Sequence, residues 1–211
     1  MEITVSEDAE LGIMGKVWPA AKLMNDYLLW RFTESGEFGK RESVCLKILE
    51  LGCGPGSTGL HLSKLLPNSK IYLTDLEDCL PLVKKNIKLN NLDNCFAHAL
   101  CWGRKADIKP EFLDMDIIMA TDVVYYLELG PILIETLCWL IPNRSKTEVL
   151  ISYQIRQEWK EMADWRDYHK LVGSGQGICR LRRRSVDAST ESFSDQFECL
   201  MQLQLQDDLF S

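Results

Sequence analysis

The stretch Ile48 to Gly59, which reads I-L-E-L-G-C-G-P-G-S-T-G, restricts the possible folds more than any other part of the chain. An apolar run (Val44, Leu46, Ile48, Leu49) ends in an acid, Glu50, and a glycine turn follows at once with Gly52, Gly54 and Gly56. Beyond the turn Leu60, Leu62, Leu65 and Leu66 recur at roughly helical spacing. Strand, glycine turn and helix make the first unit of an open α/β nucleotide-binding sheet. Glycine lets the main chain turn sharply and lets a ligand approach it without a Cβ in the way.

The spacing then narrows the ligand. A dinucleotide fingerprint runs G-x-G-x-x-G and sets a pyrophosphate on a helix N-terminus. Here the glycines run G-x-G-x-G, with Pro55 between the last two. Glu50 at the strand end is out of place beside a phosphate. A carboxylate repels an anion, but it accepts hydrogen bonds from, or pairs with, a cationic ligand. S-adenosylmethionine has no phosphate and carries a sulfonium and an ammonium. E-L-G-C-G-P-G resembles motif I of the Rossmann-like, seven-strand methyltransferases.

A chain of 211 residues suits one domain with a substantial core. Residues 1–15 read as an N-terminal arm and 173–211 as a divergent C-terminal segment. The formal net charge of -7 argues against a nucleic-acid backbone as the main partner. The eight cysteines are scattered with no C-x-x-C pair. They read as reduced thiols of a cytoplasmic, and also nuclear, protein rather than as disulfides or metal ligands. No apolar run reaches membrane-spanning length, and the acidic N-terminus is unlike a signal sequence.

In chain order, Gly12 and Gly15 flank Ile13 and Met14, so the arm is expected to fold over something near its end. Pro19 suits the first turn of a helix, with Ala20, Leu23, Met24, Tyr27 and Leu28 as its apolar stripe. Trp18, just before it, suits a core or staple residue. Val44–Leu49 is read as the first strand, Ser57–Leu66 as a helix, and Lys70–Thr74 as the second strand, ending in Asp75. That acid lies roughly twenty residues past the glycine turn, where such units bind both ribose hydroxyls; a helix cap is the other reading.

Leu80–Leu89 is the next helix, with Asn86, Asn90 and Asn91 in turn or capping roles. Phe96–Leu100 is a third strand leading into C-W-G. Trp102 there suits either an adenine face or core packing. Met115–Thr121 is a buried strand running into D-V-V-Y, which sets Asp122 and Tyr125 at its carboxyl end, where open sheets hold ligands. Capping and helix packing are the alternatives for these two. Leu127–Ile141 is helical, Glu148–Tyr153 a fifth strand, and Q-I-R-Q-E-W-K-E-M after it a helix start. Residues 173–177 read as a turn, the arginines at 180 and 182–184 as a solvated face, and Phe197–Gln204 as a closing edge strand.

The series V-W-P-A-A, E-L-G-C-G-P-G-S-T-G-L, L-T-D-L-E, C-W-G, I-I-M-A-T-D-V-V-Y and S-Y-Q-I-R closely resembles the protein-lysine methyltransferases of the methyltransferase-like family, over about residues 12–157. Members of that family modify heat-shock chaperones, valosin-containing protein and elongation factors. The resemblance implies a mostly parallel seven-strand sheet with helices on both faces, S-adenosylmethionine as cofactor, and a protein substrate met by a monomer. It implies cofactor contacts at Trp18, Gly52, Cys53, Gly54, Asp75, Trp102 and Ala120, to which the charge argument adds Glu50. Asp122 and Tyr125 match the D-x-x-Y that accepts the target lysine. The family's late hairpin has no clear counterpart in residues 173–211. Acceptors other than lysine (histidine, arginine, a small molecule), or a cofactor-binding module without turnover, remain as alternatives.

Overall fold

Lys47–Leu51 forms the central strand β1, and the rest of the sheet is laid out on either side of it. The structure is a computed structural model, and it describes residues 2–33, 43–123, 129–141, 146–154, 176–183 and 197–201. To one side of β1 lie β2 (Lys70–Asp75) and β3 (Cys95–Ala99); to the other lie β4 (Ile117–Thr121) and β5 (Glu148–Gln154). All five are parallel. β6 (Gln176–Arg183) runs antiparallel to β5, and β7 (Phe197–Met201) antiparallel to β6. The sheet order is β3-β2-β1-β4-β5-β6-β7.

Side-chain alternation gives the sheet two cores. Ile48, Ile71, Leu73, Ile117, Met119 and Leu150 face helices α1 (Pro19–Thr33), α2 (Ser57–Leu65) and α3 (Leu80–Leu89). Leu49, Leu51, Ile118, Ala120 and Val149 face α4 (Leu129–Leu140) and the buried Phe112. Because both faces are covered, the strands read as continuous apolar runs rather than alternating ones. Pro19 opens α1, and all five stripe residues expected of that helix are buried. A buried ion pair, Arg31 to Glu148 at 2.7 Å, ties the end of α1 to the start of β5.

Helix positions follow the sequence reading closely, whereas strand ends shift. β1 starts at Lys47 rather than Val44, and it continues to Leu51, which pairs with both Thr74 and Ala120. Residues 176 and 177, expected in a turn, open β6, with Gly177 opposite Tyr153. Glycine is a weak strand former, so the G-S-G-Q-G composition points to a turn although its last two residues pair with β5. Arg180, Arg182 and Arg183 lie in that strand, while Arg184 and the helix start expected after β5 lie outside the described residues. The closing strand expected from Phe197 is present as β7, so the late part of the sheet contains a hairpin-like pair that the sequence showed only in its second half.

Candidate active site

A cavity of about 350 Å³ opens at the carboxyl ends of the parallel strands. It sits where the strand order reverses between β1 and β4, the crevice in which open α/β sheets bind ligands. Its floor is the turn after β1. Gly52, Gly54 and Gly56 all have left-handed backbone, with φ of 63°, 52° and 88°. A Cβ on Gly52 would meet Val123 Cγ1 at 2.9 Å and the Trp102 ring at 3.1 Å, so the turn admits no side chain there. Between them, the Cys53 N–H donates to Thr74 O at 3.0 Å, which fastens the loop to β2. Cys53 also lines the cavity, and burial holds its thiol well above the usual range.

Asp75 closes β2 and lines the cavity beside this loop. Its Oδ2 accepts the Gly54 N–H at 2.8 Å and its Oδ1 the Leu76 N–H at 2.7 Å. Burial raises its pKa, and the two N–H groups oppose that rise. A carboxylate offers roughly four lone-pair sites, so each oxygen keeps capacity for one more donor. That is the donor pattern of two neighbouring hydroxyls.

Glu50 is placed differently from the sequence reading. Its carboxyl is fully buried and does not line the cavity. It shares the β1 face of Ile48, beneath α2, where Oε2 accepts the Gly59 N–H at 2.9 Å. Oε1 has no hydrogen-bond partner among the described residues. Burial pushes its pKa up to about 8, with the Gly59 N–H opposing and the Asp75 charge adding to the rise. The acid is therefore largely neutral at pH 7 and braces helix to strand. The motif suggested a counter-charge in the site; the structure instead sets this carboxyl under α2, away from the cavity lining. Gly59 makes that approach possible, since a Cβ there would lie 2.0 Å from Leu73 Cδ2.

Asp122 stands at the end of β4 with φ of 52° and lines the cavity, only 4% exposed. Its N–H donates to Ser152 O at 2.8 Å, which fixes the turn to β5. Tyr125 lies outside the described residues. Ala120 is another departure: it is buried in the α4-facing core, and Thr121 is the first β4 residue to reach the cavity.

Trp18 and Trp102 both line the cavity, where periodicity alone allowed core packing. The Trp18 Nε1 donates to Ile13 O at 3.0 Å, so the indole is held by the arm. The arm itself supplies Ile13, Met14, Lys16 and Val17, and α4 supplies Leu129 and Ile132. Sequence reasoning missed these six; the glycines around Ile13 and Met14 signalled that the arm turned, but not onto what. The lining residues include one lysine (Lys16) and two aspartates (Asp75 and Asp122). Such a lining suits a ligand with hydroxyls and positive charge and opposes a pyrophosphate.

A sequence model described as lysine methyltransferase matches residues 1–163. EEF1A lysine methyltransferase 3 of Xenopus tropicalis is 31% identical over 79% of this chain and 69% of its own length. Histone-arginine methyltransferase METTL23 of Xenopus laevis is 25% identical over 95% of this chain and 77% of its own. Among solved structures, an O-methyltransferase family protein from Burkholderia thailandensis superposes with a TM-score of 0.51 at 15% identity. That match covers 71% of this chain and 43% of that one, and it supports the fold.

Proposed function

Because the chain belongs to the lysine methyltransferase family, we propose that its cavity holds S-adenosylmethionine between the glycine loop, Asp75, Trp18 and Trp102, and that Asp122 receives the target lysine. The protein is an S-adenosylmethionine-dependent methyltransferase acting on a lysine of a protein substrate. The observation that carries the site assignment is the meeting of Asp75 and Asp122 in one cavity with a single lysine among its lining residues. When bound, the cofactor supplies an already activated methyl group, so the chain's task is to position and to desolvate.

Each residue then has a part. Gly52 and Gly54 keep the floor free of side chains. Asp75 offers its remaining lone pairs to hydroxyls. Trp18 and Trp102 give flat apolar walls. A free lysine ammonium has a pKa near 10.4 and must lose its proton before its nitrogen can attack. Ile13, Val17, Leu129 and Ile132 line the cavity with apolar surface, which disfavours the ammonium. Asp122 draws the cation in or takes its proton through water. Tyr125, placed by the D-x-x-Y pattern, orients the amine by its hydroxyl or flanks it with its ring.

For the substrate we propose a translation elongation factor, supported by the similarity to EEF1A lysine methyltransferase 3 of Xenopus tropicalis. Chaperones and ATPases are the other classes suggested by the family resemblance. An arginine acceptor is the second reading, favoured by the relative that matches nearly the whole chain. A monomer in a reducing cytoplasmic or nuclear compartment suits the free thiols at positions 45, 53, 79, 95, 101 and 138. The test is methyl transfer from labelled cofactor to purified elongation factor, with the modified residue assigned by mass spectrometry. A methylated lysine is expected. A methylated arginine would transfer the assignment to the second reading, and calorimetry showing no cofactor binding would remove the site assignment.

A further inference from the structure

Asn86 and Asn90 stand one turn apart on α3 and its cap, and neither lines the cavity. Both take hold of the arm's main chain. Asn90 Oδ1 accepts the Thr4 N–H at 2.9 Å, and its Nδ2 donates to Thr4 O at 2.7 Å. Asn86 treats Ser6 in the same way, with 2.9 Å for each bond. Four helical residues advance about 6 Å, and two extended residues advance about 6.7 Å. Two side-chain amides on a helix therefore keep step with an extended chain and imitate the edge of a neighbouring strand. The alternate residues, Ile3 and Val5, pack against the core.

Asn86 does one thing more: its Nδ2 also donates to Pro55 O, in the glycine loop, at 2.9 Å. It is fully buried, with both amide hydrogens used. One side chain thus joins the arm, α3 and the floor of the cavity. Downstream the arm closes on itself. Glu7 Oε1 accepts the Val17 N–H at 2.6 Å, and the Asp8 N–H donates to Gly15 O at 2.9 Å. This fold-back carries Ile13, Met14, Lys16 and Val17 to the cavity wall. Met14 O there lies 3.2 Å from where a Gly54 Cβ would be.

We infer that Asn86 is a positioning residue for the cofactor: it locks the Pro55 carbonyl of the glycine loop and Ser6 of the arm into one frame, which holds the arm as a strap over the cavity. The inference rests on the reading of that cavity as the S-adenosylmethionine site. Losing the lock speeds release of the cofactor without changing the methyl-transfer step.

The test uses the full chain and two variants that act from the arm and the surface, Ser6→Pro and Asn90→Ala, beside Asn86→Asp. Proline at position 6 removes the N–H that Asn86 accepts while leaving the core intact. Ser6→Pro removes one hydrogen bond to the arm and Asn90→Ala removes both of its bonds to Thr4, and each is expected to raise the S-adenosylmethionine Kd about three- to tenfold. The rise should appear as faster dissociation in stopped flow, with kcat at saturating cofactor within twofold of wild type. Asn86→Asp loses two donors and should exceed both. Unchanged Kd and dissociation in Ser6→Pro and Asn90→Ala, with wild type binding normally, overturns the inference. A lowered melting temperature of Asn86→Asp with unchanged Kd also overturns it, since the role would then be structural. If wild type itself does not bind S-adenosylmethionine, the site assignment falls first and the inference with it.

Discussion

β1 and β4 lie side by side in register, Leu51 opposite Ala120, and each leaves the sheet through a left-handed residue. β1 uses Gly52 (φ 63°) and β4 uses Asp122 (φ 52°). Glycine adopts this conformation freely, whereas an L side chain costs roughly 1–2 kcal/mol, least for Asp and Asn. The two ends have different tasks. The β1 end presents bare main chain, because Val123 and Trp102 already fill the space a Cβ would take. The β4 end presents a carboxyl, and the backbone strain accompanies that. The comparison separates cofactor holding, assigned to β1 and β2, from acceptor handling, assigned to β4.

Substitutions can break that separation. Gly52→Ala adds a Cβ within 2.9 Å of Val123 and should lower cofactor affinity more than about a hundredfold; calorimetry on a variant with native circular dichroism measures it. Asp122→Ala should lower turnover roughly a hundredfold, the lower end for a proton-handling group, with cofactor Kd within about twofold. If Kd rises as turnover falls, the two walls are not separate. Asp75→Ala removes a charge-assisted acceptor and should cost roughly 1.5–3 kcal/mol, or ten- to a hundredfold in cofactor affinity, with turnover at saturating cofactor little changed.

The remaining two sharpen the comparison through stability. Glu50 has a folded pKa of about 8 against an ordinary 4.5. Between those values the folded state holds a proton that the unfolded state has lost. Stability therefore falls as pH rises through that window, by up to about 1.4 kcal/mol per pH unit from this group. Glu50→Gln keeps an acceptor for Gly59 and should flatten that slope in urea titrations at pH 5 to 8. Finally, Asp122→Gly should be more stable than Asp122→Ala by about 1 kcal/mol, because glycine relieves the left-handed turn. Equal stability would mean that β4 bears no strain there.

The sequence showed the parts in which local chemistry and tertiary packing agree. α3 begins and ends where its leucines and asparagines predict, and the glycine turn, Asp75 and Asp122 all reach one cavity. It misplaced Glu50, because strands buried on both faces conceal which way each side chain points. Glu50 shares the face of Ile48, two residues back, and so turns under α2. Ala120, taken from the family resemblance, lies one position before Thr121, the first β4 residue at the cavity. The arm could not be located at all: Asn86 and Asn90 look like helix-end residues, and the bonds they make reach 80 and 86 residues back along the chain.

Ser152 on β5 has a consequence of its own. Its Oγ donates to Ala20 O at 2.9 Å, two residues past Trp18, and its carbonyl accepts the Asp122 N–H. A single serine thus stands between the wall assigned to the cofactor and the acid assigned to the lysine. Ligands on the two sides are thermodynamically linked wherever this contact differs between states, and linkage is reciprocal. By whatever factor a seated cofactor improves the hold on the acceptor, a seated acceptor improves the hold on the cofactor.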